Sequence, residues 1–369
     1  MHAVTKLELL PSAGIELPPQ ETEACLAALA ALGLDRFVRA HAATGMLTLT
    51  PQAASSLVGD CDTTSLCRSL ALDTHGSEAD LHREIWLALL AAPRTLAFPS
   101  LAELHAAVRM RANIVRAARK TALAFHTKEA ERPEGLWTYA RETGFTVLPS
   151  VSLIEALERA TQPERSGRLY DFSCYRATEY VILLAMAQEA RQHHPELYDR
   201  MQRQSEIRAV MSGEFHDVFL RELGDTEDPL PPAYYVPGDR VWFRNPDSAS
   251  SDVTGFEGSW VFYLGDGLFS NFWKRDQPFT LQSKCLEIYH WRHGLFHDAA
   301  GEPQLNEDIV AERVAQTLQD PAETARIVER MMRLRDPKGV YQWGGCIDRT
   351  RESPRWVCPG SSDVLLPDA

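Results

Sequence analysis

The stretch Arg168-Leu-Tyr-Asp-Phe-Ser-Cys-Tyr-Arg-Ala-Thr-Glu-Tyr-Val-Ile-Leu-Leu-Ala-Met-Ala-Gln188 runs from a polar turn straight into an apolar helix. Asp171 and Ser173 are both good N-caps, because a short side-chain oxygen accepts hydrogen bonds from the free N–H groups of a first helical turn. From Tyr180 to Ala187 nearly every side is apolar, the pattern of a helix enclosed by protein. Cys174 falls in the first turn. There the positive end of the helix dipole favours thiolate over thiol, which makes a sulfur nucleophilic. A plainer reading competes with this one, an inert core thiol. The capped helix start sets Cys174 apart from the other six cysteines and makes it the candidate nucleophile.

Composition narrows the classes around that helix. The 369 residues are 44% hydrophobic and 24% charged, an ordinary globular balance that allows two or three domains and a sizeable core. A net charge of −13 argues against nonspecific binding to nucleic acid or to an anionic membrane. The seven cysteines (25, 61, 67, 174, 285, 346 and 358) are scattered, with no CxxC spacing and no histidine cluster beside them. That pattern argues against a zinc site or a disulfide framework and for a reducing compartment. No basic stretch leads into an apolar run at the start, and no segment approaches the length of a membrane span. A cytoplasmic protein is expected, with export by a leaderless route left open.

Outward from Cys174, residues 1–95 read as a helical module with helices over 21–34, 51–58 and 77–92, the last ending at Pro93. Residues 100–120 form a longer amphipathic helix whose basic stripe, without interleaved aromatics, is a solvated face. A short strand is expected at 145–148, and the Cys174 helix ends near His193-His194-Pro195. A further helix, broken by Gly213, is expected over 202–223, and residues 248–254 read as a polar, mobile loop. The clearest hairpin is Ser259-Trp-Val-Phe-Tyr-Leu-Gly, the turn Asp266-Gly267, then Leu268-Phe-Ser-Asn-Phe-Trp273. A two-residue turn sets Gly265 opposite Leu268, Tyr263 opposite Ser270 and Val261 opposite Phe272. One face then carries Glu257, Ser259, Val261, Tyr263, Ser270, Phe272 and Lys274. Helices are expected over 281–293, 306–318 and 321–334. The tail 339–369 reads as irregular, with Trp343 and Trp356 as anchors.

Four stretches in this order resemble one family, the bacterial spore-coat-type protein-glutamine gamma-glutamyltransferases. Arg109-Met-Arg-Ala-Asn-Ile-Val-Arg-Ala-Ala118 resembles the family's R-M-N-I-V-A-A-A helix, and Tyr170-Asp-Phe-Ser-Cys174 its Y-A-F-E-C nucleophile turn. Gly238-Asp-Arg-Val-Trp-Phe-Arg-Asn-Pro246 resembles G-D-C-L-Y-F-K-N-P, and Phe256-Glu-Gly-Ser-Trp-Val-Phe-Tyr-Leu-Gly265 resembles W-R-G-E-N-V-I-L-L-G. The resemblance covers about residues 98–295. It implies an α+β, papain/NlpC-like core, a central helix on an antiparallel sheet, over 96–298. Helical additions flank it at 1–95 and 299–369.

The resemblance further implies a cysteine nucleophile that attacks a glutamine carboxamide and a thioester that an amine opens. No metal or organic cofactor takes part. The partners would be a protein or peptide glutamine donor and an amine acceptor. Cys174 matches the nucleophile. Ser173 stands where the family has a glutamate, Ser259 where it has a second glutamate, and Phe272 where it has a histidine. Glu257, two residues from Ser259 on the same face, becomes the candidate relocated acid. Asn271 takes the place of the histidine if the register slips by one, and His290, His293 and His297 are further candidates for reaching back. Two alternatives stand beside acyl transfer to a protein amine. One is a glutamine deamidase or amide synthase with another acceptor. The other is an inactive binding protein that keeps the fold.

Overall fold

The computed structural model describes residues 13–125, 130–210, 212–338 and 344–367. Trp343, expected as an anchor, lies outside them. In chain order the first elements are β1 (Ile15–Glu16), α1 (Thr22–Ala31), β2 (Val38–His41), β3 (Met46–Leu49), α2 (Pro51–Leu57), α3 (Leu66–Leu70), α4 (Glu78–Leu90) and β4 (Leu96–Ala97). Next come α5 (Leu101–Lys120), β5 (Ala124–Phe125), β6 (Trp137–Ala140), β7 (Gly144–Val147), α6 (Leu153–Thr161), α7 (Pro163–Ser166), β8 (Asp171–Phe172) and α8 (Cys174–His193). Then follow α9 (Pro195–Ile207), α10 (Ser212–Phe219), β9 (Leu220–Leu223), β10 (Arg240–Arg244), β11 (Gly258–Gly265), β12 (Leu268–Phe269), β13 (Phe279–Thr280) and α11 (Leu281–Gly294). The chain finishes with β14 (Leu295–His297), β15 (Pro303–Leu305), α12 (Glu307–Thr317), α13 (Pro321–Met331) and β16 (Arg351–Pro354).

Side-chain caps start the helices that position the site. Ser100 accepts a hydrogen bond from the Glu103 amide at the start of α5, and Ser173 accepts one from the Arg176 amide at the start of α8. Thr280 and Ser283 form a capping box on α11. Helix α8 is buried along most of its length, packed between α5, α6, α9 and strand β11. The main sheet runs β13-β12-β11-β10-β16-β9 and is antiparallel at every pairing. A mixed helix-and-sheet fold is therefore as expected, with a buried central helix against an antiparallel sheet. No helix among the described residues is long and apolar enough to cross a membrane.

Several expectations need correction. The N-terminal region is not purely helical, because β2, β3, β1 and β4 form a four-stranded sheet in that order. Val38-Arg-Ala-His41 and Met46-Leu-Thr-Leu49 alternate over only four residues each, a weak signal beside the neighbouring helices. The tail is not irregular throughout either, since β16 lies inside the main sheet between β10 and β9. Its sequence, Arg-Glu-Ser-Pro, has no apolar alternation. It is buried because Arg351 donates to the Tyr234 carbonyl at 3.2 Å and Glu352 pairs with Arg240 at 2.6 Å. The helix expected over 202–223 is broken as expected, into α9 and α10, but α9 ends at Ile207, Gly213 lies inside α10, and the last residues form β9. Residues 248–254 form a tight turn in which Ser250 is fully buried and bonded to Asn245 and Asp247.

The hairpin turn forms as expected, with Asp266 at φ 54° and Gly267 at φ 69°, both in the left-handed region that such a turn requires. Gly265 lies opposite Leu268, but a bulge follows and Tyr263 pairs with Phe269 rather than Ser270. Ser270 instead bonds with Phe262, its amide donating to the Phe262 carbonyl and its hydroxyl accepting the Phe262 amide. The register beyond the turn has slipped by one residue, which sequence alternation alone could not reveal. Another tight approach lies at Gly238 (φ 89°), where a Cβ would come within 2.8 Å of the Arg111 backbone on α5. Arg111 meets Asp239 at 2.7 Å in the same turn, locking α5 to the sheet.

Candidate active site

Cys174 is the first residue of α8 and is half-buried. It opens on a cleft of about 400 Å³. One wall is β11 with Ser259 and Trp260, a second is the 270–274 segment after β12, and a third is α11 with Lys284 and Glu287. Helix α12 closes the remaining side with Val310 and Val314. The C-terminal region thus forms part of the cleft itself.

Two influences oppose each other at the thiol. Burial dominates and pushes the Cys174 thiol above its ordinary range. The Trp260 amide, the Lys284 ammonium, the Tyr175 amide and the Arg240 guanidinium all act the other way. The helix start therefore offers a thiolate partners, as the sequence suggests, but the net shift is upward. Lys284 is itself 2% exposed, its Nζ 2.8 Å from Glu287 and 3.8 Å from the Phe279 ring centroid. No sequence argument singled it out. Its signal was an unusual one, a lysine on the inward face of the helix expected over 281–293.

Arg240 on β10 is the second missed residue. It is 2% exposed, donates to Thr178 on α8 at 2.8 Å and pairs with Glu352 on β16. Its guanidinium lies against the rings of both Tyr175 (4.5 Å) and Trp260 (3.9 Å), and its charge reaches the thiol. Its Nη2 is buried with no partner among the described residues. Glu352 also bonds His216 at 3.0 Å. That hydrogen bond raises the His216 imidazole above its usual range. Burial pushes Glu352 up, but His216 and Arg240 together hold it below the ordinary carboxylate range.

The sequence-derived candidates separate. Ser259, Asn271 and Phe272 line the cleft with Cys174. Ser173 is the helix cap and faces a different cavity. Glu257 is not brought to the thiol: it is exposed, it is absent from the cleft walls, and its carboxylate accepts the Gly255 amide at 3.0 Å. The Asn271 side chain closes the turn that follows β12, donating to the Gln277 carbonyl and accepting the Lys274 amide. Phe272 is 3% exposed and packs against Phe262 and Trp273. His290 and His293 do not reach back to the cleft. They bond to one another at 2.9 Å, and His290 also meets Thr317 at 2.8 Å. His297 is exposed on β14. Among the described residues, no three His, Cys, Asp or Glu side chains are grouped to hold a metal ion.

Comparison with known proteins adds the following. A family model described as protein-glutamine gamma-glutamyltransferase matches residues 63–352, well beyond the 98–295 over which the motifs are legible. No curated protein matches the chain. Among solved structures, the chain is similar to a transglutaminase from Geobacillus stearothermophilus without its C-terminal extension, at 19% identity and a TM-score of 0.40. That similarity covers 58% of this chain and 98% of the other.

Proposed function

This chain belongs to the protein-glutamine gamma-glutamyltransferase family, and from that premise we propose that it transfers the acyl group of a glutamine side chain to an amine, with Cys174 as nucleophile. The observation that carries this reading is a cysteine at a capped helix start opening on a cleft of about 400 Å³. The arrangement of α8 against an antiparallel sheet supports a papain-like core as its setting. The Cys174 thiolate attacks the carboxamide carbon, and collapse of the tetrahedral adduct breaks the C–N bond. Ammonia leaves with the proton that the thiol gave up, and a thioester remains. An amine then attacks the thioester carbon, the C–S bond breaks, and the proton shed by the amine returns to sulfur. The sum is amide plus amine giving substituted amide plus ammonia, with nothing oxidised or reduced.

Lys284, anchored by Glu287, takes the supporting role for which positions 173, 259 and 272 carry no charged group. Its ammonium in a cleft shielded from water favours the thiolate more strongly than it would in solvent. The apolar walls supplied by α12 suit the methylene stems of glutamine and of an amine such as lysine.

The test uses the full chain, a glutamine-containing peptide and a primary amine, with ammonia and substituted peptide both measured. Cys174→Ala should cut ammonia release by at least about 10³ while leaving the fold intact. Ammonia without incorporated amine would turn the reading to a deamidase. Equal activity in the Ala variant would remove Cys174 from the mechanism altogether.

A further inference from the structure

A second cavity, of about 300 Å³, lies on the other side of the α8 start from the thiol cleft. Its walls are aromatic, with Trp137 from β6, Phe145 from β7, Phe172 from β8 and Tyr180 from α8. Into this setting the chain puts arginines. Arg132 is 8% exposed, so its cation is nearly withdrawn from water. Its guanidinium bonds only to neutral groups among the described residues, the Tyr180 hydroxyl at 2.8 Å and the carbonyls of Glu131 and Asp171. It lies 3.6 Å from the Phe172 ring centroid and 4.4 Å from that of Tyr180. Glu179, whose charge reaches Arg132, is engaged by Arg176 at 2.5 Å. Arg141, exposed on the rim, has no ion pair among the described residues.

A buried cation is costly unless an anion joins it. Aromatic faces offset part of that cost, in the range of one or two hydrogen bonds. Glu179 offsets part of the remaining charge, but it is shared with Arg176, so the two arginines face one carboxylate between them. The cavity is also at the size where small-molecule sites begin, and its aromatic walls carry four arginines (132, 141, 176 and 208) against two carboxylates, Asp171 and Glu179. We propose that this cavity is a binding site for a small carboxylate with an aromatic body, the carboxylate meeting Arg132 and Arg141 and the ring lying among Trp137, Phe145 and Tyr180. The site is separate from the thiol cleft, because Cys174 is not among its walls. Its nearest link to the cleft is Ser173, which lines this cavity and caps the helix that Cys174 begins.

The experiment is calorimetric titration of the full chain with three probes of one shape: 3-phenylpropanoate, 3-phenylpropan-1-ol and 3-phenylpropylamine. The acid should bind at least about tenfold tighter than the alcohol, and the amine weakest, as expected for a charge-assisted hydrogen bond. Arg132→Gln should bring acid and alcohol level. Arg141→Ala, an exposed change that leaves the core alone, should narrow the ratio at least about threefold. It decides the matter if the Gln variant does not fold. Equal binding of acid and alcohol by the natural protein overturns the proposal, as does no binding of the acid at about 10 mM. So does an acid-to-alcohol ratio that neither variant changes.

Discussion

At Cys174 the helix dipole and desolvation pull one thiol in opposite directions. A helix start contributes about 0.3–1 kcal/mol in favour of a negative group. Withdrawing a thiolate from water costs more than that, and burial prevails. Alkylation of Cys174 by iodoacetamide should therefore be slow at pH 6 and keep rising into the alkaline range, with no plateau near neutrality. The charged groups facing the cleft are Arg240 on β10, Lys274 after β12, Lys284 and Glu287 on α11, and Glu307 on α12. Removing the Lys284 cation takes away support for the thiolate, so Lys284→Gln should raise the thiol further. Alkylation at pH 8 should then fall about three- to tenfold, and Lys284→Arg should restore much of it. An unchanged pH profile in the Gln variant would deny Lys284 its role. Glu257→Gln should leave ammonia release within twofold of the natural rate, roughly the scatter expected for an exposed surface change, because its carboxylate is turned to the Gly255 amide. A large loss there would return Glu257 to the chemistry.

At the scale of elements, the β11–β12 bulge decides what the hairpin can contribute. With the register slipped, Phe272 belongs to the core beside Phe262 and Trp273. Phe272→His should cost about 2–4 kcal/mol in stability, through lost packing and a buried polar ring, and bring no gain in rate. Chemical denaturation of the variant checks the first part, and ammonia release checks the second. The contact between α10 and β16 has its own pH signature. His216 is raised by its hydrogen bond to Glu352, so its contribution is complete below the ordinary imidazole value and fades as pH rises through the raised one. Glu352 is depressed, so its contribution is complete above the ordinary carboxylate value and is lost only as pH falls through the depressed one. The melting-temperature gap between the natural protein and His216→Gln should be wider at pH 6 than at pH 8.5. A gap of the same width at both would mean that the pair adds no proton-linked stability.

At the scale of the whole molecule, both flanking regions are built into the body that holds the site. From the N-terminal side, Glu84 on α4 accepts the Tyr263 hydroxyl and the Asp266 amide, holding the hairpin turn, and Thr63 bonds both sides of Tyr235. From the C-terminal side, β16 sits in the sheet, while Glu103 on α5 accepts the amides of Val357 and Cys358 and the Ser361 hydroxyl. Trp356 anchors the tail as expected, its ring 3.5 Å from the Arg221 guanidinium. A protease cut in the exposed turn at 298–301 should therefore leave the two fragments together through native gel filtration. Separation of a 299–369 fragment without denaturant would show that this region is an independent appendage.

Sequence alone determined the parts of this protein that are set locally. The cap at Ser173 is read within one helical turn, so the position of Cys174 at a helix start was legible. The left-handed turn at Asp266-Gly267 was legible for the same reason. The tertiary structure decided everything that depends on distant partners. The polar strand β16 is a strand only because buried Arg240 and the Tyr234 carbonyl, more than a hundred residues away, receive its charges. Lys284 meets the thiol cleft because α11 folds back over β11 and β12, and the Arg132 cavity exists because β6, β7 and α8 close around it. Local propensity acts over three or four residues, whereas the burial of a charge is settled by the whole fold.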